Sequence, residues 1–474
     1  MDAPAEYAWT PPVFDVSRAP ALTHTWAVAS PSYSGNFPRS ARWSPDGAVA
    51  LVHCEDRAFR LYTPPADESA PAPPRTLAQP APILSYAWYP FAAAASPATF
   101  CFAAAVRETP VKLLDAGDGR LRASYPIVDH RERQIAPHSL AFNLSATRLY
   151  CGFEDAIEVF DVARPAAGTR VHTTPSKKSR DGMKGIISAL AFSPAYGSEL
   201  YAAGSLASTS SSADDSYNIA LYNEADGAVP VLFVGGSPGG GVTQLQFDPA
   251  RPHVLYAAFR RMGAVYSWDL RAGGAPVRVY EPAPSESRAP TPSSSLGTTA
   301  VDPAVGSLAP KPAAESQRKG RRGEERPTNQ KRQFDVDVGG RWLGVGDQQG
   351  RISVFGLSEA DADFGTEGEV EIVDLGEKEA EFVPPRLVFD AHGDAIGGVA
   401  FHPAKAALLS VSGSRHFWVE DDEESSEEED DDVVIVDAAG KSIVDAGNVR
   451  RAVRPMPVPL DASVRLWDFG EGRS

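Results

Sequence analysis

A repeat constrains this chain more than any other feature. Six times a short apolar segment ends in an aromatic residue and a turn: Trp43-Ser44-Pro45-Asp46-Gly47, Trp88-Tyr89-Pro90, Phe142-Asn143-Leu144, Phe192-Ser193-Pro194, Phe247-Asp248-Pro249 and Phe401-His402-Pro403. A degenerate copy, Asp335-Val336-Asp337-Val338-Gly339-Gly340, falls between the fifth and the sixth and makes seven. Each copy is followed by an alternating segment ending in an aromatic or leucine, often beside Asp: Tyr62, Leu114-Asp115, Phe160-Asp161, Tyr222-Asn223, Trp268-Asp269, Phe355 and Trp467-Asp468. The two signals lie 18 to 30 residues apart in six copies and 66 apart in the last, so one unit recurs with insertions. A unit that small cannot bury both of its faces, and the copies must stack on one another.

A strand, a turn, a small-residue strand such as Leu200-Tyr201-Ala202-Ala203-Gly204, and a strand ending Trp-Asp make the WD-repeat pattern of four-stranded blades around a channel. Seven copies predict an all-β, seven-bladed WD40 β-propeller with disordered insertions. It is expected over residues 21–470, after a flexible N-terminal tail at 1–20. A strand within residues 22–29 is expected to complete the last blade and remove the open sheet edge. In such a blade the loop between the second and third strands shares a face with the loop entering the first strand. The Ser-rich residues 205–216 fall in the former loop of blade four, and an acidic insertion, 419–460, in that of blade seven. Residues 281–332 join blades five and six, and 358–386 form an acidic connector; neither composition requires structure.

The 474 residues are 43% hydrophobic and 9% aromatic, which supports a large core and excludes a wholly disordered chain or a coiled coil. A formal charge of −17 argues at first against a nucleic-acid partner. Yet residues 420–432 carry −11, 358–386 carry −8 and 281–332 carry +3, which leaves −1 on the rest. The three cysteines, Cys54, Cys101 and Cys151, lie in apolar runs without CxxC spacing and read as buried thiols of a reducing compartment. The N-terminal residues lack the basic and apolar regions of a signal peptide. Residues 87–106 carry no charge and are long enough to span a bilayer, but Pro90 and Pro97 divide them, so they read as two strands and a loop. No membrane partner is expected.

Nine histidines are scattered, and HExxH, GxSxG, P-loop and GxGxxG patterns are absent from the sequence. No catalytic residue, metal site, cofactor or small-molecule substrate is therefore predicted, and the chain reads as no enzyme. His138 and His392 precede blade entries and read as structural, with the WD residues Trp268, Asp269, Trp467 and Asp468. Asp56, Asp155 and Asp347 read as loop pins. Cations on the insertion-bearing face are more informative. Lys177, Lys178, Arg180 and Lys184 crowd the entry to blade four and Arg131 and Arg133 that of blade three, while Arg107 lies in the loop of blade two and Arg260 and Arg261 in that of blade five. Clustered cations suit phosphates, and arginine planes stack on unpaired bases, so Arg107, Lys177, Lys178, Arg180, Lys184, Arg260 and Arg261 are candidate RNA-binding residues. Acidic peptides would suit the same surface. Arg318, Lys319, Arg321 and Arg322 are similar to a nuclear import signal. Ser425 and Ser426, ahead of an acidic run, suit phosphorylation by an acidophilic kinase.

Less generic pieces carry a resemblance. Tyr86-Ala87-Trp88-Tyr89, Arg107-Glu108-Thr109-Pro110, Leu121-Arg122-Ala123-Ser124, Tyr150-Cys151-Gly152-Phe153 and residues 185–194 resemble the telomerase Cajal body protein family. The resemblance implies a nuclear scaffold, in Cajal bodies or nucleoplasm, for small Cajal body RNAs of the CAB-box type or telomerase RNA, with their RNP proteins and other protein partners on the propeller faces. It matches Arg107 with Glu108, Lys177 with Lys178, and Arg260 with Arg261 to charged positions of the family pattern. The alanine- and proline-rich wording suggests a fungal or GC-rich genome. Two alternatives remain: a substrate receptor of a cullin ubiquitin ligase, on Trp268-Asp269-Leu270-Arg271, and a splicing-associated interaction scaffold.

Overall fold

Each repeat folds as an antiparallel four-stranded sheet, and seven such sheets make a ring. The computed structural model describes residues 10–470 other than 29, 31–32, 66–71, 177–181, 208–216, 226, 228, 237, 273, 283–328, 358–371, 375–378 and 417–456. No helix occurs among the described residues.

Strand β1 is Ala21–Ala27. Blade one is β2 to β5 (Pro38–Trp43, Ala50–Cys54, Ala58–Tyr62, Arg75–Ala78), and blade two β6 to β9 (Ile83–Trp88, Cys101–Val106, Val111–Asp115, Leu121–Tyr125). Blade three is β10 to β13 (Ser139–Phe142, Arg148–Phe153, Ala156–Asp161, Thr169–His172), and blade four β14 to β17 (Ile187–Phe192, Leu200–Ser205, Ile219–Asn223, Pro230–Val234). Blade five is β18 to β21 (Val242–Phe247, Val254–Phe259, Val265–Asp269, Arg278–Tyr280). Blade six takes β22 to β24 (Asp335–Val336, Trp342–Gly346, Arg351–Gly356), and then β25 (Ile372–Asp374) and β26 (Glu379–Val383) precede its last strand, β27 (Leu387–Asp390). Blade seven is β28 to β30 (Ile396–Phe401, Ala407–Ser412, Ser463–Asp468), completed by β1, which pairs antiparallel with β30 from Ala21↔Asp468 to Ala27↔Ser463. Strands β1 and β30 thus close the ring, and β30 is not left as an open outer edge of blade seven.

Blade faces pack on neighbouring blades, so the second strands are buried on both sides and read as continuous apolar runs. All six residues of β7, Cys-Phe-Ala-Ala-Ala-Val, are buried. Close approach needs small residues at one recurring place. A Cβ added at Gly152, Gly204 or Gly346, each in a second strand, would collide with Ile187, Val242 or Ile396, the first residue of the next blade. Indoles tie blades across the same seam: Trp43 Nε1 donates to the Ala400 carbonyl at 3.1 Å, and Trp88 Nε1 to that of Arg42 at 3.3 Å. The uncharged residues 87–106 end β6, make a turn and form β7. No helix is long and apolar enough to cross a membrane among the described residues. Cys54, Cys101 and Cys151 are free and buried.

Three expectations from composition need correction. Of the tail at 1–20, the described residues 10–20 are anchored: Phe14 is 5% exposed and packs edge-on against Phe401 and Phe469, with ring centroids 5.1 and 5.4 Å away. Within the connector 358–386, β26 pairs in parallel with β21 and extends blade five's sheet. Its Glu-Ala-Glu-Phe-Val sequence hides a strand in an acid-rich stretch, with Ala380 buried and Glu381 bound to Arg278 at 2.7 Å. The linker 281–332 is structured at its end, where residues 329–332 enter the channel of the ring.

Candidate nucleic-acid interface

Antiparallel strands place every second-to-third loop beside the entry to a first strand, and main-chain bonds show the two converging. Glu55 N donates to Phe37 O, Arg107 N to Pro82 O, Asp155 N to Gly185 O, Arg260 N to Gly241 O and Gly413 N to Ala395 O. These loops ring the mouth of the channel. Four of them make the same tight turn, with Arg57, Glu108, Asp155 and Arg261 at φ 64, 59, 57 and 66°. That left-handed conformation disfavours side chains by about 1 kcal/mol, so glycine is the easy choice there. Charged residues occupy it instead: Arg57, Glu108 and Arg261 are exposed on the face, while Asp155 turns back to accept from Gly185 N.

Of the candidate RNA-binding residues, Arg107, Lys184, Arg260 and Arg261 are described, and all four are exposed on this face. Arg261 Nε donates to Asn329 Oδ1 at 2.7 Å, and the Lys184 carbonyl accepts from Ser205 Oγ. Arg107 borders a recess with Arg39, Arg57 and Arg415, whose carboxylates are Glu55 and Asp56. Lys177, Lys178 and Arg180 lie outside the described residues, as do the import motif at Arg318, Lys319, Arg321 and Arg322 and the kinase motif at Ser425 and Ser426.

The first strands of blades one to five line the channel beneath these loops, and the residues ahead of β22 cross it. Gln333 N donates to Gly397 O at 3.0 Å, and Val399 N donates to Gln333 O at 3.2 Å, so the linker's end lies along β28. Lys331 Nζ reaches the Ser188 carbonyl at 3.4 Å, while Arg332 donates to the carbonyls of Gly346 and Met262. Sequence reasoning missed these residues because it read the whole linker from its composition. The signal available was Phe334, the first aromatic residue after Tyr280, directly behind Lys331-Arg332-Gln333.

The WD residues hold the blades. In blade seven Trp467 Nε1 donates to Ser410 Oγ at 2.8 Å, Ser410 Oγ meets His392 Nε2 at 2.7 Å, and His392 Nδ1 faces Ser463 Oγ at 3.1 Å and Asp461 at 3.4 Å. Burial holds the His392 imidazole below its ordinary pKa. Burial pushes the Asp461 carboxyl up, but hydrogen bonds from His392, Ser463 and Gly393 N outweigh it and hold it low. In blade five Trp268 Nε1 instead finds the Gly235 carbonyl at 2.9 Å, and Asp269 is tied to Arg271 at 2.7 Å. Asp468 caps its own turn through Gly470 N at 2.8 Å. His138 lies apart from this role: its ring lines the channel, and burial followed by Lys331 lowers its pKa. Asp155 accepts from Gly185 N at 2.7 Å, Asp347 from the amides of Gln349 and Arg351, and Asp56 pairs with Arg60. Blade five lacks the turn histidine. Buried Asp248 takes its place, accepting from the amides of Ala250 and Arg251 and from Tyr256 Oη.

Both ends of the acidic insertion meet one carboxylate. Asp394 accepts from Ser414 Oγ and Leu460 N and faces His416 Nε2 at 2.9 Å, and His416 and Val458 form a bridge. The insertion therefore leaves the ring on the loop-bearing face.

No family model matches the chain. It is similar to telomerase Cajal body protein 1 of Rattus norvegicus, with 30% identity over 405 residues, 84% of this chain and 62% of that protein. The Homo sapiens protein of that name gives 30% over 405 residues, 84% of this chain and 60% of its own length. The telomerase Cajal body protein 1 homolog of Drosophila melanogaster gives 25% over 399 residues, 81% and 58%. The chain thus spans about three fifths of the length of the curated relatives it matches. With a seven-bladed WD40 propeller beneath that likeness, the chain belongs to the telomerase Cajal body protein family.

Proposed function

We propose that the chain is a non-enzymatic nuclear scaffold that binds a small RNA of the Cajal body class on the loop-bearing face of its propeller and supports assembly or localisation of the particle. One observation carries the reading: Arg107, Lys184, Arg260 and Arg261, from three different blades, are all exposed on the face where the loops converge. The relatives' names, which join telomerase to the Cajal body, point to an RNA particle as partner. Phosphates supply much of the affinity in such contacts, and each neutralised phosphate of a single strand adds about 0.7 to the slope of log affinity against log salt.

Crosslinking the protein to RNA in cells and sequencing what is bound tests the reading directly. Small nuclear or Cajal body RNAs should dominate in the intact protein. Arg260→Glu with Arg261→Glu should lose them and reduce the salt slope in vitro by about 1.4. Recovery of cullin and adaptor subunits without enriched RNA would replace this function with a ubiquitin-ligase receptor.

A further inference from the structure

The channel beneath the loops has a chemistry of its own. It encloses about 330 Å³, near the small end of cavities that hold small molecules (about 300–1,000 Å³). Arg39 and Arg42 come from the first strand of blade one, Arg260 from the loop of blade five, and Lys331 from the linker that crosses the channel. His53 and His138 complete the basic lining, and no carboxylate lines it among the described residues. Arg42 and Arg260 are exposed to the channel and Arg39 and Lys331 are partly buried, and their pairing is thin. Arg39 shares Glu55 with Arg415, at 3.4 Å on its own side. Arg42 lies over the Tyr86 ring at 5.6 Å and is within electrostatic reach of the Asp335 carboxylate, which lies outside the cavity lining. Lys331 has three N–H donors and one long contact to a carbonyl.

We propose that this cavity is a binding site for a small anion carrying two or more phosphate groups. Four cations from three separate parts of the chain converge on it, more positive charge than one carboxylate ligand would balance. Arginine forks match phosphate oxygens in pairs, and lysine adds a point charge. Tyr86 itself offers a base no platform, because it is 4% exposed and its face is taken by Arg42. The electrostatics of the empty cavity agree. Desolvation, then Arg42 and Arg39, pull Lys331 from 10.5 down to about 8, and burial followed by Arg39 pulls His53 to about 3. Because Lys331 belongs to the linker, the anion would also bind the linker's end to the wall of blade one.

The test is calorimetric titration of the full chain with sodium tripolyphosphate, against sodium chloride at matched ionic strength. Saturable one-to-one binding is expected, with a higher melting temperature and slower amide exchange at residues 331–333. Arg42→Met with Lys331→Met should weaken it by tenfold or more, and Lys331→Arg should retain it. Absence of saturable binding, or equal binding by the double variant, would overturn the site. If the double variant does not fold, Arg42→Lys and Lys331→Gln singly give the same comparison. A single-stranded RNA carrying a 5′-hydroxyl identifies the source of the phosphates: displacement of tripolyphosphate assigns the site to RNA phosphates, and simultaneous binding assigns it to a free polyphosphate. The site does not rest on the RNA reading, since failure of RNA to bind at all would leave the tripolyphosphate result standing.

Discussion

Replacing Lys331 with methionine should stabilise the protein, and by an amount that depends on pH. The folded state holds this ammonium at about 8 against 10.5 for a free lysine, chiefly by desolvation. At about 1.36 kcal/mol per pKa unit, keeping the charge in the channel costs roughly 3 kcal/mol at pH 7. Methionine keeps the stem's volume and removes the charge. It also removes the contact to the Ser188 carbonyl, worth about 1 kcal/mol at most given its 3.4 Å length. Lys331→Met should therefore be about 2 kcal/mol more stable at pH 7. The unfolded chain holds this proton more tightly than the folded one, so wild-type stability rises with pH between about 8 and 10.5 and the advantage of the variant shrinks across that window. Other groups facing the cavity, Arg39, Arg42, Arg260, His53 and His138, are the same in both proteins and cancel in the difference. Urea unfolding followed by tryptophan fluorescence at pH 7 and pH 10 measures it. Equal stabilities at pH 7, or a difference that does not change with pH, would refute the argument.

Other outcomes follow from the blades and loops. Ser410→Ala leaves Trp467 Nε1 and His392 Nε2 without their shared partner in a buried site, and should cost about 2–4 kcal/mol by thermal or urea unfolding. Phe14→Ala removes a ring packed between Phe401 and Phe469 and should cost about 3 kcal/mol; a loss near zero in the same assay would return residues 10–20 to a free tail. Arg261→Gly relieves a left-handed backbone at φ 66° and should leave stability unchanged or about 1 kcal/mol higher while RNA retention falls, which filter binding and unfolding together would show.

The ring was legible because its signals are local and repeated. Trp43, Trp88, Phe142, Phe192, Phe247 and Phe401 end first strands where the repeat places them, and even the degraded copy yields β22, two residues long. The closing strand was legible for a topological reason, since a ring without it would leave β30 unpaired on its outer side. The site was legible only in outline. Loop position put Arg107, Lys184, Arg260 and Arg261 on one face; Gly182 and Gly185 mark the turn beside Lys184, but the left-handed turns at Glu108 and Arg261 are carried by non-glycine residues and have no sequence mark. His392 stands nine residues before Phe401, the end of its first strand, whereas His138 stands only four before Phe142, and of the two only His392 bonds a second-strand serine, Ser410. In blade three His138 N instead donates to the Gly152 carbonyl of the second strand, and its ring faces the channel.

What composition concealed has a common physical form. Glu379–Val383 and residues 329–332 are short stretches whose neighbours in sequence are acidic or proline- and serine-rich, and averaging over thirty or fifty residues removes them. Both are fixed by pairing with partners far away in sequence: Arg278 with Glu381, and Gln333 with Gly397 and Gly398. The same averaging governs the charge. A chain of −17 looks hostile to anions, yet its net negative charge is concentrated at 358–386 and 420–432, while Arg39, Arg42, Arg260 and Lys331 line the channel with no carboxylate among the described residues. At physiological ionic strength, charges beyond about 8 Å are largely screened, so an anion entering the channel responds to those four cations far more than to the sum. The acid-rich segments act instead at long range and low salt. Anion affinity in the channel should therefore fall with salt less steeply than the chain's overall repulsion of RNA, and the two slopes measured on one protein separate the local field from the global one.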